Sequence, residues 1–162
     1  MSKETIKDLL VGLGFVLIEV LIFQHLSFYG ITADPLLIFV LWIALKYDRF
    51  QLILITAVLA FFQDALFDFW GINLFAKTLM IFVIYNFIRR WRETRLLLWQ
   101  IFLVIFLAAL FHNLLFIGLA GVVNLASVIN IYSVGLMPII FVLGSSLYTA
   151  SLGSMLFIFK GN

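Results

Sequence analysis

The chain has 162 residues, of which 65% are hydrophobic, 17% aromatic and only 11% charged. Soluble domains carry about 25% charged residues, so ten basic and eight acidic side chains cannot coat a water-facing surface of this size, and so apolar a chain is not disordered. The net charge of +2 is too small to argue for nucleic acid, and the absence of cysteine excludes disulfides, thiol nucleophiles and cysteine-ligated metals.

What remains is an all-α integral membrane protein, a single domain over 1–162. At about 20 residues per span, the apolar content provides five or six helices. In chain order, a charged head of Lys3, Glu4, Lys7 and Asp8 leads into a first span over 9–28. No small-x-small cleavage site follows that run and Glu19 sits inside it, so it is expected to be a retained helix rather than a signal peptide. A second span opens at Pro35. Its apolar run of 35–45 covers only about 17 Å, so it must recruit flanking residues to reach 32–48, or it is re-entrant. Spans over 51–69 and 74–88 are joined by the short turn 70–73. The Arg-rich segment 89–95 then precedes spans over 96–120 and 134–159.

Charge placement supports six transmembrane helices. Nine of the ten basic residues (Lys3, Lys7, Lys46, Arg49, Arg89, Arg90, Arg92, Arg95 and Lys160) fall at one end of alternating spans, while the opposite loops carry no Lys or Arg. The positive-inside rule then predicts that both termini and the 89–95 loop are cytoplasmic, with Arg89, Arg90, Arg92 and Arg95 drawn to anionic lipid at the inner surface. Trp70, Trp91 and Trp99 fit interfacial anchoring.

Ionisable groups at membrane depth cost roughly 2.5–3.5 kcal/mol each on insertion scales, so each calls for a reason. Asp64 and Asp68 lie one turn apart on one helix face, and Lys77 sits at similar depth across the following turn. An intramembrane cluster Asp64/Asp68/Lys77 is therefore expected between the third and fourth helices. Two readings stand: a proton, cation or polar-substrate site, and an ion pair that fixes the hairpin. Glu19 has no local counter-charge, and His112 and Asn113 are candidate partners for it. Two histidines without metal-ligand spacing do not make a metal site, so no metal and no cofactor are expected. Ser146, Ala150 and Gly153 form a small-residue stripe suited to close helix packing inside the bundle. The uncharged segment 121–133 reads as a helix at the outer surface or a docking surface for a periplasmic partner. No nucleophile constellation or phosphate loop lies on a water-facing stretch, so catalysis is not expected.

The stretch Ala60-Phe61-Phe62-Gln63-Asp64-Ala65-Leu66, followed by Gly71-Ile72-Asn73-Leu74-Phe75-Ala76-Lys77-Thr78-Leu79 and Tyr85, resembles the signature region of the rod-shape-determining MreD family. The match is strong over about 25 residues. Pro35-Leu36-Leu37, the chain length and the Arg-rich loop extend it weakly, and Ala60-Phe61-Phe62 departs from the family's Gly-rich run. The resemblance implies a turn organised by Gln63, Gly71 and Asn73, and a six-helix fold similar to the substrate-binding subunits of energy-coupling-factor transporters. It also implies a non-enzymatic, multi-pass component of the bacterial cytoplasmic (inner) membrane. Such proteins act in the cell-elongation machinery and help regulate peptidoglycan synthesis. The implied partners are an MreC-like single-span protein, RodA and a class B penicillin-binding transpeptidase, with MreB-type filaments indirectly and membrane lipid around. The rival expectations are a small-molecule-binding transporter subunit, or a binder of a lipid-linked precursor. The first span, Leu10-Val11-Gly12-Leu13-Gly14, lacks the small-xxx-small face that transporter subunits use for docking.

Overall fold

A computed structural model describes residues 3–23, 25–27, 31–91, 97–123 and 136–161. Six α-helices account for most of them: α1 (Lys3–Ile18), α2 (Pro35–Ile43), α3 (Arg49–Phe67), α4 (Ile72–Trp91), α5 (Leu98–Val123) and α6 (Met137–Gly161). A five-residue π-helical turn, Glu19–Phe23, continues α1. Among the described residues, four helices (α3 to α6) are long and apolar enough to cross a membrane. Large hydrophobic side chains such as Leu54, Phe61, Phe82 and Leu147 point outward, as expected where lipid replaces water.

The second predicted span, 32–48, is helical over only part of its length. Only the nine residues of α2 are helical, about 14 Å of rise, and eight of them are buried. Asp34 caps the helix, its carboxylate accepting the Leu37 amide at 2.7 Å, and Pro35 follows at a position where a missing N–H costs nothing. The helix ends in a turn where the Leu45 and Lys46 amides bond to the Trp42 and Ile43 carbonyls. With α1, α3, α5 and α6 packed around it, α2 is the centre of the bundle. A helix buried on all sides needs no polar face, which is why its sequence shows no 3.6-residue period.

The other helices pack around this plug, with α3 along α4 and α5 along α6. At Gly12 an added Cβ would sit 2.5 Å from Leu59 Cδ1 and 2.8 Å from Phe39 Cε1, so α1 crosses α2 and α3 where only hydrogen fits. On α6 the small-residue stripe lies inside the bundle, as its spacing predicts. Ser146 and Ala150 are fully buried, and a Cβ on Gly153 would meet Ile105 at 2.8 Å. Asp68 (φ 58°), Trp70 (φ 53°) and Gly71 (φ +86°) place three left-handed residues in the α3–α4 connection. The reversal is thus tight, and α4 starts at Ile72 rather than at the predicted 74.

At the opposite end, Lys46 Nζ and the Tyr47 hydroxyl both donate to Asp8 Oδ2 at 2.7 Å, joining the start of α1 to the α2–α3 turn. Burial pushes the Asp8 carboxyl up, but the hydrogen bonds from Lys46 and Tyr47 outweigh it and hold the group below its ordinary value. The ionised form is therefore the one the folded state prefers. Its stabilisation is complete above the unfolded value of about pH 4 and disappears as pH falls through the lower folded value. Amide exchange in the first turns of α1 is expected to rise in that acid window. Asp8→Asn should show the raised exchange already at neutral pH, and unchanged exchange in both cases would remove the clip. Arg49 is also at this end, donating to the Phe82 carbonyl at 2.8 Å and lying 4.0 Å over the Phe82 ring.

Candidate functional site

Lys77 is fully buried, and its counter-charge is neither Asp64 nor Asp68. Its ammonium forms an ion pair and hydrogen bond with Asp34 Oδ2, and lies 3.4 Å from His112 Nε2. His112 Nδ1 is 3.7 Å from the same Asp34 oxygen, beyond direct hydrogen-bond range. Nε2 is therefore the acceptor from Lys77, which leaves the ring proton of a neutral imidazole on Nδ1. Asp34 is held in turn by its own amide, which donates to Thr149 Oγ1 at 3.1 Å, while the Thr32 amide donates to Ser145 Oγ at 3.3 Å. Asp34 at the head of α2 is thus bound to α4 through its carboxylate and to α6 through its amide, while His112 of α5 rests against Lys77.

The expected Asp64/Asp68/Lys77 cluster does not form. Asp64 is buried and turned to the start of α4, where Oδ1 accepts from the Asn73 amide at 3.1 Å and Oδ2 from the Leu74 amide at 2.8 Å. These are two of the donors every helix leaves unmatched at its N-terminus, and the carboxylate also complements the helix dipole. Asp68 is exposed, ends α3 in a left-handed conformation, and makes no ion pair among the described residues. Equal depth did not mean a shared face: Lys77 is rotated toward α2 and α5.

Glu19 finds its partner in Gln63, whose Nε2 donates to Glu19 Oε1 at 2.6 Å, and not in His112 or Asn113. Asn113 instead donates to Ser146 Oγ at 3.1 Å, which donates on to the Val142 carbonyl. Five buried polar atoms have no hydrogen-bond partner among the described residues: Arg49 Nε and Thr56 Oγ1 elsewhere in the fold, and Glu19 Oε2, Gln63 Oε1 and His112 Nδ1 here.

Glu19, Gln63 and His112 meet at one cavity of about 310 Å³. Its polar wall includes Glu19, Asp34, Gln63, Asn73, His112 and Asn113, and its apolar wall is mostly phenylalanine. The secondary candidates Glu19, His112 and Asn113 and the motif residues Gln63 and Asn73 are thus brought to one place. Asp64 lies behind the wall as a structural cap. Arg89 and Arg90 are exposed at the end of α4, far along the helix from the cavity, while Arg92 and Arg95 lie outside the described residues. The segment expected at the outer surface, 121–133, also lies outside them beyond Val123.

The residue missed from sequence is Asp34. Its signal was an isolated acid before a proline and an unbroken apolar run, the pattern of a capped buried helix. Among the described residues, no group of three or more His, Asp or Glu side chains is placed to hold a metal ion. Chemically the site can bind and orient a polar group in an apolar surround, with buried acceptors and aromatic walls. Comparison with family models, curated proteins and solved structures finds no match to this chain.

Proposed function

We propose that this protein is a non-catalytic, multi-pass component of the bacterial cytoplasmic membrane that works in the cell-elongation machinery and holds an MreC-like single-span partner. Through that partner it would influence RodA and a class B penicillin-binding transpeptidase, and thereby peptidoglycan synthesis, with MreB-type filaments coupled from the cytoplasmic side. Both termini would be cytoplasmic. The gathering of Lys46, Arg49, Arg89 and Arg90 at one end of the helices supports that orientation.

The observation that carries the reading is the stretch 60–79, which resembles the MreD signature and whose polar residues, apart from the exposed Asp68, are mostly engaged in the bundle's interior. Gln63 holds Glu19, Asp64 caps α4, Gly71 takes the left-handed turn position, and Lys77 pins Asp34. A motif used this way supports a shaped and rigid surface for a partner rather than a reaction. The test is affinity purification of the tagged chain in mild detergent, together with depletion in a rod-shaped host. An MreC-like protein is expected to co-purify, and depleted cells to round up. Normal rods after depletion, with no such protein in the eluate, would sink the proposal.

The cavity supports a second reading, in which the chain binds a small molecule or the polar part of a lipid-linked precursor. A closed scaffold has no need of 310 Å³ of space walled by unmatched polar groups.

A further inference from the structure

The cavity carries enough chemistry to name the class of group it accepts, an inference that rests on the second reading above and not on the partner reading. The π-helical turn Glu19–Phe23 ends α1 and begins at a residue that lines the cavity. Such wide turns occur mostly as single insertions at functional sites, because they shift the helix register and re-aim one side chain. The first side chain of this turn is a carboxylate, nine-tenths buried, with one oxygen bonded to Gln63 and the other unpartnered among the described residues. Beside it the Gln63 carbonyl oxygen, on a side chain even more deeply buried, is also unpartnered. Two acceptors without donors ask for a ligand that brings N–H groups.

Charge points the same way. The acids at this end are Glu19, Asp34, Asp64 and Asp68, and the bases are Lys77, the buried His112 and the exposed His25. The Lys77 ammonium is held by Asp34 and rests against His112, and makes no ion pair with Glu19. The sequences of 28–30 and 124–135 contain no charged residue that could do so. A buried carboxylate without a counter-charge is costly, and a cation entering the cavity would remove that cost. Phe23, Phe67, Phe69 and Phe116 supply aromatic walls suited to a cation and to an apolar body behind it.

We propose that the cavity binds a primary ammonium group, with the Glu19 carboxylate as its counter-charge and the Gln63 carbonyl oxygen as a second acceptor. The ammonium is either the headgroup of an aminolipid or a free organic amine.

The experiment places the full chain in nanodiscs of phosphatidylglycerol, which has no amine, and titrates three probes of one shape: 2-phenylethylammonium, 2-phenylethanol and 3-phenylpropionate. The ammonium is expected to bind tighter than the alcohol by about tenfold or more, and the anion not at all. Glu19→Gln should abolish the preference for the ammonium. Ser27→Trp, an exposed position on the cavity wall, should weaken ammonium and alcohol alike without touching the buried network. If Glu19→Gln does not fold, the three-probe series on the parent and Ser27→Trp decides alone. Doping the discs with phosphatidylethanolamine should weaken amine binding if a lipid headgroup is the natural occupant, and leave it unchanged if a free amine is. Both results support the ammonium. Equal binding of ammonium and alcohol, or a preference that survives Glu19→Gln, overturns the proposal while leaving a small-molecule cavity standing. No binding of any probe overturns both, with Glu19 carrying nothing but a proton.

Discussion

Lys77→Met is expected to destabilise the protein by about 3–5 kcal/mol, read as denaturant unfolding in detergent. The lysine is fully buried, so the change does not release a solvated charge. It leaves Asp34, mostly buried on the cavity wall, without its counter-ion, and deprives His112 of the donor at its Nε2. Removing one member of a buried pair costs more than the pair itself contributes, because the survivor keeps its desolvation penalty. The double variant Asp34→Asn/Lys77→Met should therefore recover much of the loss. Asparagine can still accept from the Leu37 amide and cap α2, and no unpaired charge remains. The difference between the double variant and the sum of the singles measures the coupling. A Lys77→Met protein as stable as its parent would show that the pair does not hold the bundle.

Asp64→Ala is the second large effect, at about 2–4 kcal/mol, from two helix-start amides left without acceptors. The Asn73 amide is buried and the Leu74 amide partly so, so water cannot fully replace the carboxylate. Asp64→Asn keeps one acceptor oxygen and should cost about half as much. Asp68→Asn should cost almost nothing, because Asp68 is exposed and asparagine tolerates the left-handed conformation it adopts. That ordering separates the capping account from a charge cluster, in which Asp64 and Asp68 would behave alike. The same variants bear on the proposed partner. A folded Asp64→Asn protein that no longer captures an MreC-like chain would place the α3–α4 turn at the contact.

The contrast between these two aspartates shows how far the residues could be read in advance. Depth along a helix follows directly from counting residues, and it correctly put Lys77 at the level of the turn and Asp64 inside the bundle. Azimuth does not follow, because a helix rotates by 100° per residue and its facing partners are set by packing. So Lys77 was matched to the nearest acids in sequence, while its actual partner lies 43 residues upstream. Glu19 was similar: its need for a partner was visible, but Gln63, 44 residues away, became that partner only when α1 was laid against α3 at Gly12.

The shortness of α2 was visible in its 35–45 run, but its burial was hidden for a related reason. An apolar run reads the same whether it faces lipid or the inside of a bundle, and only neighbouring helices decide which. Asp34 before Pro35 has the pattern of a cap, while its second role as the anion facing Lys77 depends on α4 and α5 arriving at the same place.

By itself the sequence determined what depends on composition and order along the chain. These are the membrane class, the long apolar helices, the concentration of positive charge at one end, the tight α3–α4 turn and the burial of a few ionisable groups. Each follows from transfer free energies summed over consecutive residues, which are additive and local. The tertiary structure alone decided who meets whom: Asp34 with Lys77, Glu19 with Gln63, and an aromatic-walled cavity where two acceptors stay unmatched. Those pairings depend on helix rotation and on close packing among α1 to α6. Their strength comes from the low dielectric of an interior that exists only after the helices have come together.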